Sequence, residues 1–264
     1  MNRADLKNTK RIVVKVGSST ITRSPNGAPN LLLMEKLVRE LCVQKGEGRE
    51  VILVSSGAIA VGRHSIGQDR PSGDLVTRQA YAAIGQGRLM MIYQKLFAEY
   101  GQTASQVLLT MNALDDEETK GHVVGTLTTL LDLGAIPIVN ENDTVSPYEI
   151  LYGDNDTLSA IVATLVKADL LILLSDIDGF YTDDPNKDPQ AKLIETVEAL
   201  DEKMFAMAKD SSGDVGTGGM ATKLAAAETA LGSGIPMVIA NGEDVGNIHR
   251  IINGKPIGTL FVPA

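Results

Sequence analysis

The chain has 264 residues, 44% hydrophobic and 22% charged, enough to bury one large core as a single domain or as two closely joined lobes. Thirty-three acids against 24 Lys and Arg give a formal charge of -9, which argues against a general nucleic-acid binder but leaves room for a local basic pocket. The single cysteine excludes an internal disulfide. No apolar stretch is long enough to span a bilayer, and the opening "MNRADLKNTKRIVVKVG" lacks a signal-peptide core, so the cytoplasm is the default.

In chain order, short aliphatic runs alternate with helix-like segments. "RIVVKV" (11–16) reads as a buried strand ending on a Gly-Ser-Ser turn. A helical pattern follows around 31–45, with Cys42 in the apolar spacing of "LLLMEKLVRELCVQ", which suits a buried structural thiol. "EVILVS" (50–55) is the second strand and runs into "SSGAIAVGR", a small-residue turn that opens a helix. A long helix around 74–99, a strand "SQVLLT" (105–110), a helix around 119–133 and a strand "IPIV" (136–139) come next. The remainder reads as a helix around 155–167, the strand "LLILLS" (170–175), a loop at 183–192 broken by two Asp-Pro steps, a helix around 219–232 and the strand "PMVIA" (236–240). This alternation implies an α/β fold around a largely parallel sheet. Four strands lead directly into small or polar clusters, and ligands bind beyond the carboxyl ends of strands in such sheets, so an extended site for more than one ligand is expected.

Lys15 lies inside an apolar strand, which is costly unless its head reaches an anion or a cleft; the alternative is a snorkelling edge lysine. "GTGGMATK" (216–223) is a glycine-rich loop that opens a helix, with Lys223 in the first turns. It lacks the Gly-Lys-Ser/Thr ending of a Walker A loop, yet a lysine near a helix start is unfavourable unless an anion compensates. Asp176, at the end of the fifth strand, could reach a nucleotide. The three histidines are scattered without metal spacing. "GDND" (153–156) lacks the further ligands of an EF-hand loop. It reads as a helix cap, a clamp for a cationic ligand group, or both. "NENDTV" (140–145) adds a second carboxylate–amide set, and two such sets suit a ligand carrying an amino group and a carboxylate.

Taken in order, "VVKVGSSTIT", "SSGAIAVGR", "NENDTV", "GDNDTLSA", "SDIDGFYTDDP" and "GTGGMATK" resemble the amino acid kinase family, and most closely its branch that phosphorylates free glutamate. The match runs from about residue 11 to "GTLF" near the C-terminus. The resemblance implies an αβα sandwich, with an amino-acid-binding lobe over about 1–168 and a nucleotide-binding lobe over about 169–264. It implies ATP-dependent phosphorylation of the γ-carboxylate of L-glutamate, the first step towards proline, with Mg²⁺ carried on the ATP phosphates and no protein metal site. Sibling kinases acting on acetylglutamate, aspartate, carbamate or a nucleoside monophosphate are the alternative, and a non-catalytic amino acid and nucleotide sensor is a further one.

Carried over by motif, Lys15 and Lys223 stabilise the transferring phosphoryl group and Asp156 orients them. Ser56, Asn140, Asp143 and Asn155 bind glutamate, with Asp154 in support. Ser175, Asp176, Thr217, Gly218, Gly219, Met220, Ala221, Thr222 and both lysines belong to the ATP site. Proline as feedback inhibitor, a homo-oligomer and glutamyl phosphate reductase as functional partner are expected on the same ground. Many members continue into a C-terminal PUA domain; this chain resembles the short form. Many also carry a charge where this chain has Leu151.

Overall fold

The computed structural model describes residues 2–23, 25–68, 71–111, 116–146, 155–183, 185, 187–210 and 219–263. Its centre is one eight-stranded sheet in the order β5-β6-β4-β1-β7-β9-β10-β8. The strands are β1 Arg11–Val16, β4 Glu50–Ser55, β5 Ala104–Leu109, β6 Ile136–Glu141, β7 Leu170–Ser175, β8 Thr196–Val197, β9 Met237–Asn241 and β10 Thr259–Phe261. Every pairing from β5 to β9 is parallel; β10 joins β9 antiparallel and carries β8 parallel to itself. A separate two-stranded ribbon pairs β2 (Thr22–Arg23) with β3 (Ala28–Pro29).

Parallel strands are covered on both faces, which is why they read as near-continuous apolar runs. One core packs Ile12, Val14, Val16, Leu53 and Ile138 against helices α2 (Leu31–Gly46) and α4 (Leu75–Glu99). The other packs Val13, Ile52, Val139 and Leu171 against α5 (Glu117–Asp132), α6 (Asn155–Leu165), α7 (Glu202–Asp210) and α8 (Met220–Gly232). The result is the expected three-layer αβα arrangement. Short helices α1 (Ser18–Ile21), α3 (Ala58–Ser65) and α9 (Asn247–Ile252) complete it.

Most expected elements lie within two residues of their sequence-derived bounds, and the differences have causes. β6 runs two residues further, because Asn140 and Glu141 pair with Leu108 and Leu109 of β5. The polar cluster therefore begins inside the strand. α7, α9 and β10 were not expected, being too short to display a period. Cys42 is half-buried rather than buried, and burial still pushes its thiol up to about 11.

Helix α3 carries the turn after β4, and α4 packs on it at an unusually short distance. A Cβ on Gly62 would lie 1.8 Å from the Tyr81 carbonyl oxygen, and one on Gly85 would lie 1.7 Å from the Ala58 carbonyl oxygen. Only glycine at both positions permits this crossing, which fixes the height of α4 relative to the carboxyl edge of the sheet. Gly57, immediately before α3, holds φ +100 with Ile21 Cδ1 2.9 Å from where a Cβ would stand. No L side chain fits there without strain.

Gly85→Ala should therefore destabilise the fold by about 3 kcal/mol or more, at the upper end of overpacking costs. Gly87→Ala, on the same helix with nothing within 4 Å of a new Cβ, should be neutral or stabilise by up to about 1 kcal/mol. Urea denaturation of the two variants checks this, and equal stability would remove the close-crossing argument.

Candidate active site

Three segments meet at the carboxyl edge of the sheet: the end of β1 and the first turns of α6 and α8. Strand alternation turns Ile12, Val14 and Val16 towards α2 and α4, so Lys15 shares the Val13 face and points towards α6 and α8. Both helices precede strands of the parallel sheet, so their N-termini lie at the edge where those strands end.

Lys15 Nζ lies 2.5 Å from Asp156 Oδ1. Lys223 Nζ donates to the other oxygen, Asp156 Oδ2, at 3.2 Å. The Thr222 hydroxyl lies 2.9 Å from the same oxygen and 2.8 Å from the Gly219 carbonyl; its one hydrogen serves only one of them at a time. All three charged residues are nearly inaccessible to solvent, with Asp156 at 1% exposure. Burial alone would raise the Asp156 pKa, but the ammonium groups of Lys15 and Lys223 outweigh it and hold the carboxyl at about 2. Asp156 also sits in the first turn of α6, where the helix dipole favours an anion.

Among the described residues, two ammonium groups face one carboxylate, and the backbone amides that open α8 at Gly219, Met220 and Ala221 add to the positive side. Such an arrangement is built to receive an anion. Ser175 closes β7 and donates to Asp176 Oδ1 at 3.0 Å, which puts Asp176 on the exposed rim beside this centre.

A second cluster adjoins the first. Asn155 Nδ2 donates to Ser56 Oγ and to Asn140 Oδ1, each at 2.8 Å, and Asn140 Nδ2 donates to Gln86 Oε1 at 3.0 Å. Ser56 is held by its backbone N–H on the Val16 carbonyl at 3.1 Å. Below it, Ser55 shares a 2.9 Å hydrogen bond with the fully buried Tyr93 hydroxyl of α4. Asp143 lines a shallow cavity with Gln86, Glu141 and Asn142, and its buried Oδ1 has no hydrogen-bond partner among the described residues. Burial, reinforced by the nearby Glu141 and opposed by Arg78, pushes the Asp143 carboxyl up to about 7. Glu141 accepts from Ser146 Oγ at 2.5 Å.

Lys15, Lys223 and Asp156 thus come together, as do Ser56, Asn140 and Asn155, with Asp143 in the cavity beside Gln86. Asp154, Thr217, Gly218 and Leu151 lie outside the described residues. Gln86, Glu141, Tyr93 and the Thr222 contact with Asp156 were not anticipated. Gln86 and Tyr93 belong to a long helix whose polar and apolar positions read as ordinary surface and core. Glu141 was visible within "NENDTV", but only the strand pairing shows it buried.

The sequence profile of the amino acid kinase family matches residues 10–241. Glutamate 5-kinase of Clostridium acetobutylicum is 51% identical over 259 residues, covering 98% of this chain and 96% of the relative. Glutamate 5-kinase of Carboxydothermus hydrogenoformans is 50% identical over 258 residues, covering 98% of this chain and 69% of the relative. Among solved structures, carbamate kinase from Giardia lamblia bound to AMP-PNP superposes with a TM-score of 0.67 at 17% identity. That likeness covers 98% of this chain and 100% of the other, and it concerns the fold alone.

Replacing Asp156 with Asn takes the shared carboxylate away from two buried ammonium groups. Asp156→Asn should lower stability by about 3 kcal/mol, the scale of a broken buried ion pair. Adding Lys223→Met should restore part of that loss, because one of the stranded charges is then gone. Denaturant titration of the single and double variants measures both, and additive losses would contradict the shared-carboxylate arrangement.

Proposed function

The chain belongs to the amino acid kinase family, within its glutamate 5-kinases, and from that premise we infer how its residues transfer a phosphoryl group from ATP to the γ-carboxylate of L-glutamate. The product is L-glutamyl 5-phosphate, the first intermediate on the route to proline. The observation that carries the reading is the pair of buried lysines sharing the Asp156 carboxylate at the start of two helices.

An oxygen of the γ-carboxylate attacks the γ-phosphorus of ATP, the bond to the β–γ bridging oxygen breaks, and ADP leaves with that electron pair. The carboxylate is already ionised at neutral pH, so no general base is needed. What the protein must supply is in-line positioning and compensation of charge on the transferring group. Lys15 and Lys223 face that group, and Asp156 keeps both ammonium heads aimed at one point. The amides opening α8 and the 217–223 segment take the nucleotide phosphates, while Ser175 and Asp176 border the nucleoside.

On the amino acid side, Ser56, Asn140, Asp143 and Asn155, with Asp154, hold the glutamate α-amino and α-carboxylate groups. The amino-acid lobe of about 1–168 and the nucleotide lobe of about 169–264 then meet at β1 and β7. Among the described residues there is no group of three side chains that could cage a metal. The Asp156 carboxylate is already occupied by two lysines and a hydroxyl. Mg²⁺ is assigned to the ATP phosphates and water, where it would neutralise phosphate charge, and no residue is assigned to it.

In an ATP-dependent hydroxamate assay, the purified protein should turn over glutamate in preference to acetylglutamate and aspartate. Lys15→Ala and Lys223→Ala should each lower kcat by at least about a hundredfold, the scale of a lost electrostatic stabiliser. Turnover of another acceptor alone would reject the glutamate assignment, and a normal kcat in either variant would reject that lysine's role.

Asp143 gives a pH signature. Its carboxyl is raised to about 7, so the anion that attracts a substrate ammonium forms as pH rises through that value. The glutamate KM should fall about tenfold between about pH 6 and about pH 8, following the ionised fraction. Asp143→Asn should have a higher KM that varies little over the same range. A KM that is flat with pH in the unmodified enzyme would remove Asp143 from amine recognition.

A further inference from the structure

Helix α4 lies outside every one of the sequence motifs, yet it reaches the amide cluster through Gln86. We propose that Gln86 is a positioning residue that sets the polarity of the amide relay in the amino acid site, and thereby makes Asn155 a hydrogen-bond acceptor for the substrate ammonium. The inference rests on the glutamate reading above.

Carboxamides are nearly symmetric in shape, so which end is oxygen and which is nitrogen is decided by their partners. The relay here has one direction. Gln86 Oε1 accepts from Asn140 Nδ2, and Asn140 Oδ1 accepts from Asn155 Nδ2. Asn155 Nδ2 spends its second hydrogen on Ser56 Oγ. With both amide hydrogens committed inside the protein, Asn155 can meet a ligand only through its carbonyl oxygen. A carbonyl oxygen suits an ammonium group and repels a carboxylate.

The direction is imposed from the other end. Gln86 lines the cavity that also contains Glu141 and Asp143, both buried carboxylates. Its NH₂ end is favoured towards those acids, and its oxygen is left for Asn140. Were Gln86 turned over, Asn140 would have to present its oxygen to Gln86 and its nitrogen to Asn155. Asn155 would then show a donor to the ligand, which an ammonium cannot use. The relay also crosses layers. Asn140 shares the strand face of Ile136 and Ile138, towards α4, while Asn155 opens α6 on the opposite layer, so the relay passes around the carboxyl edge of the sheet. The glycine crossing of α3 and α4, one residue before Gln86, holds α4 at the height this contact requires.

Two substitutions separate polarity from packing. Gln86→Glu keeps an acceptor for Asn140 Nδ2, whereas Gln86→Leu removes it. Gln86→Leu should raise the glutamate KM about tenfold or more, the scale of an unmet polar contact, and leave kcat and the ATP KM within about threefold. It should also narrow the preference for glutamate over glutarate, which has the same acceptor carboxylate but no amino group, by about tenfold. Gln86→Glu, assayed above about pH 8 where the carboxyl groups are ionised, should keep both the glutamate KM and the glutarate discrimination near those of the unmodified enzyme. Melting midpoints are recorded for each variant, and Gln86→Ala replaces the leucine variant if that one is unstable.

The proposal is overturned if Gln86→Leu retains the KM and the glutarate discrimination. It is equally overturned if Gln86→Glu loses as much as Gln86→Leu, since Gln86 would then act through its nitrogen or its bulk. Failure of the unmodified protein to phosphorylate glutamate would reject the activity reading instead, and is distinguishable from both.

Discussion

One carboxylate organises this molecule. Asp156 takes Lys15 on one oxygen and Lys223 with Thr222 on the other, and so joins a strand and two helices that are far apart in sequence. Each partner would be costly where it stands if it were alone: a lysine inside a parallel strand, a lysine at a helix N-terminus, and an aspartate almost wholly out of water. Together they gather two ammonium groups and one carboxylate at a point where helix amides also converge. The folded chain thereby fixes this charge arrangement before any ligand arrives, and on the proposed reading a field fixed in advance needs no reorganisation at the moment of reaction.

The sheet explains why this point lies where it does. In the parallel portion every strand ends on the same side, and α6 and α8, which precede strands, begin on that side. Sequence position translates directly into spatial position: a residue after a strand or at the start of the next helix is at the site. This is why Lys15, Lys223 and the GDND and NENDTV sets stand out in the chain, while the individual choice of Ser56, Asp143, Asn155 and Asp156 comes from the family resemblance. Their residue types conflict with the local environment that the apolar pattern implies, and conflicts of that kind mark function.

What remained hidden belongs to α4 and to the ends of strands. Gln86 is a half-buried polar residue between two glycines of a long helix, and no period distinguishes it from surface. Tyr93 reads as core, which it is, but its hydroxyl bonds Ser55 at the end of β4. Asn140 and Glu141 looked like loop residues because polar residues usually follow a strand. Only the pairing with Leu108 and Leu109 places them within it. These are tertiary facts. They depend on which helix lies against which strand end, and the order β5-β6-β4-β1 does not follow from the order of the elements in the sequence.

The tight crossing of α3 and α4 has a consequence for the order in which the enzyme becomes competent. Its two helices are neighbours along the chain, so their association closes only a short loop. It already brings Ser56, Gln86 and the Ser55–Tyr93 pair within one local unit. The charged centre is different: Lys15, Asp156 and Lys223 are far apart in sequence, and joining them requires the central strands to be in register first. Loop-closure entropy makes the first assembly inexpensive and the second the more demanding. The Ser55, Ser56, Gln86 and Tyr93 part of the amide cluster can therefore mature with a local hairpin, while Asn140, Asn155 and the charged centre join it only when the chain as a whole has condensed.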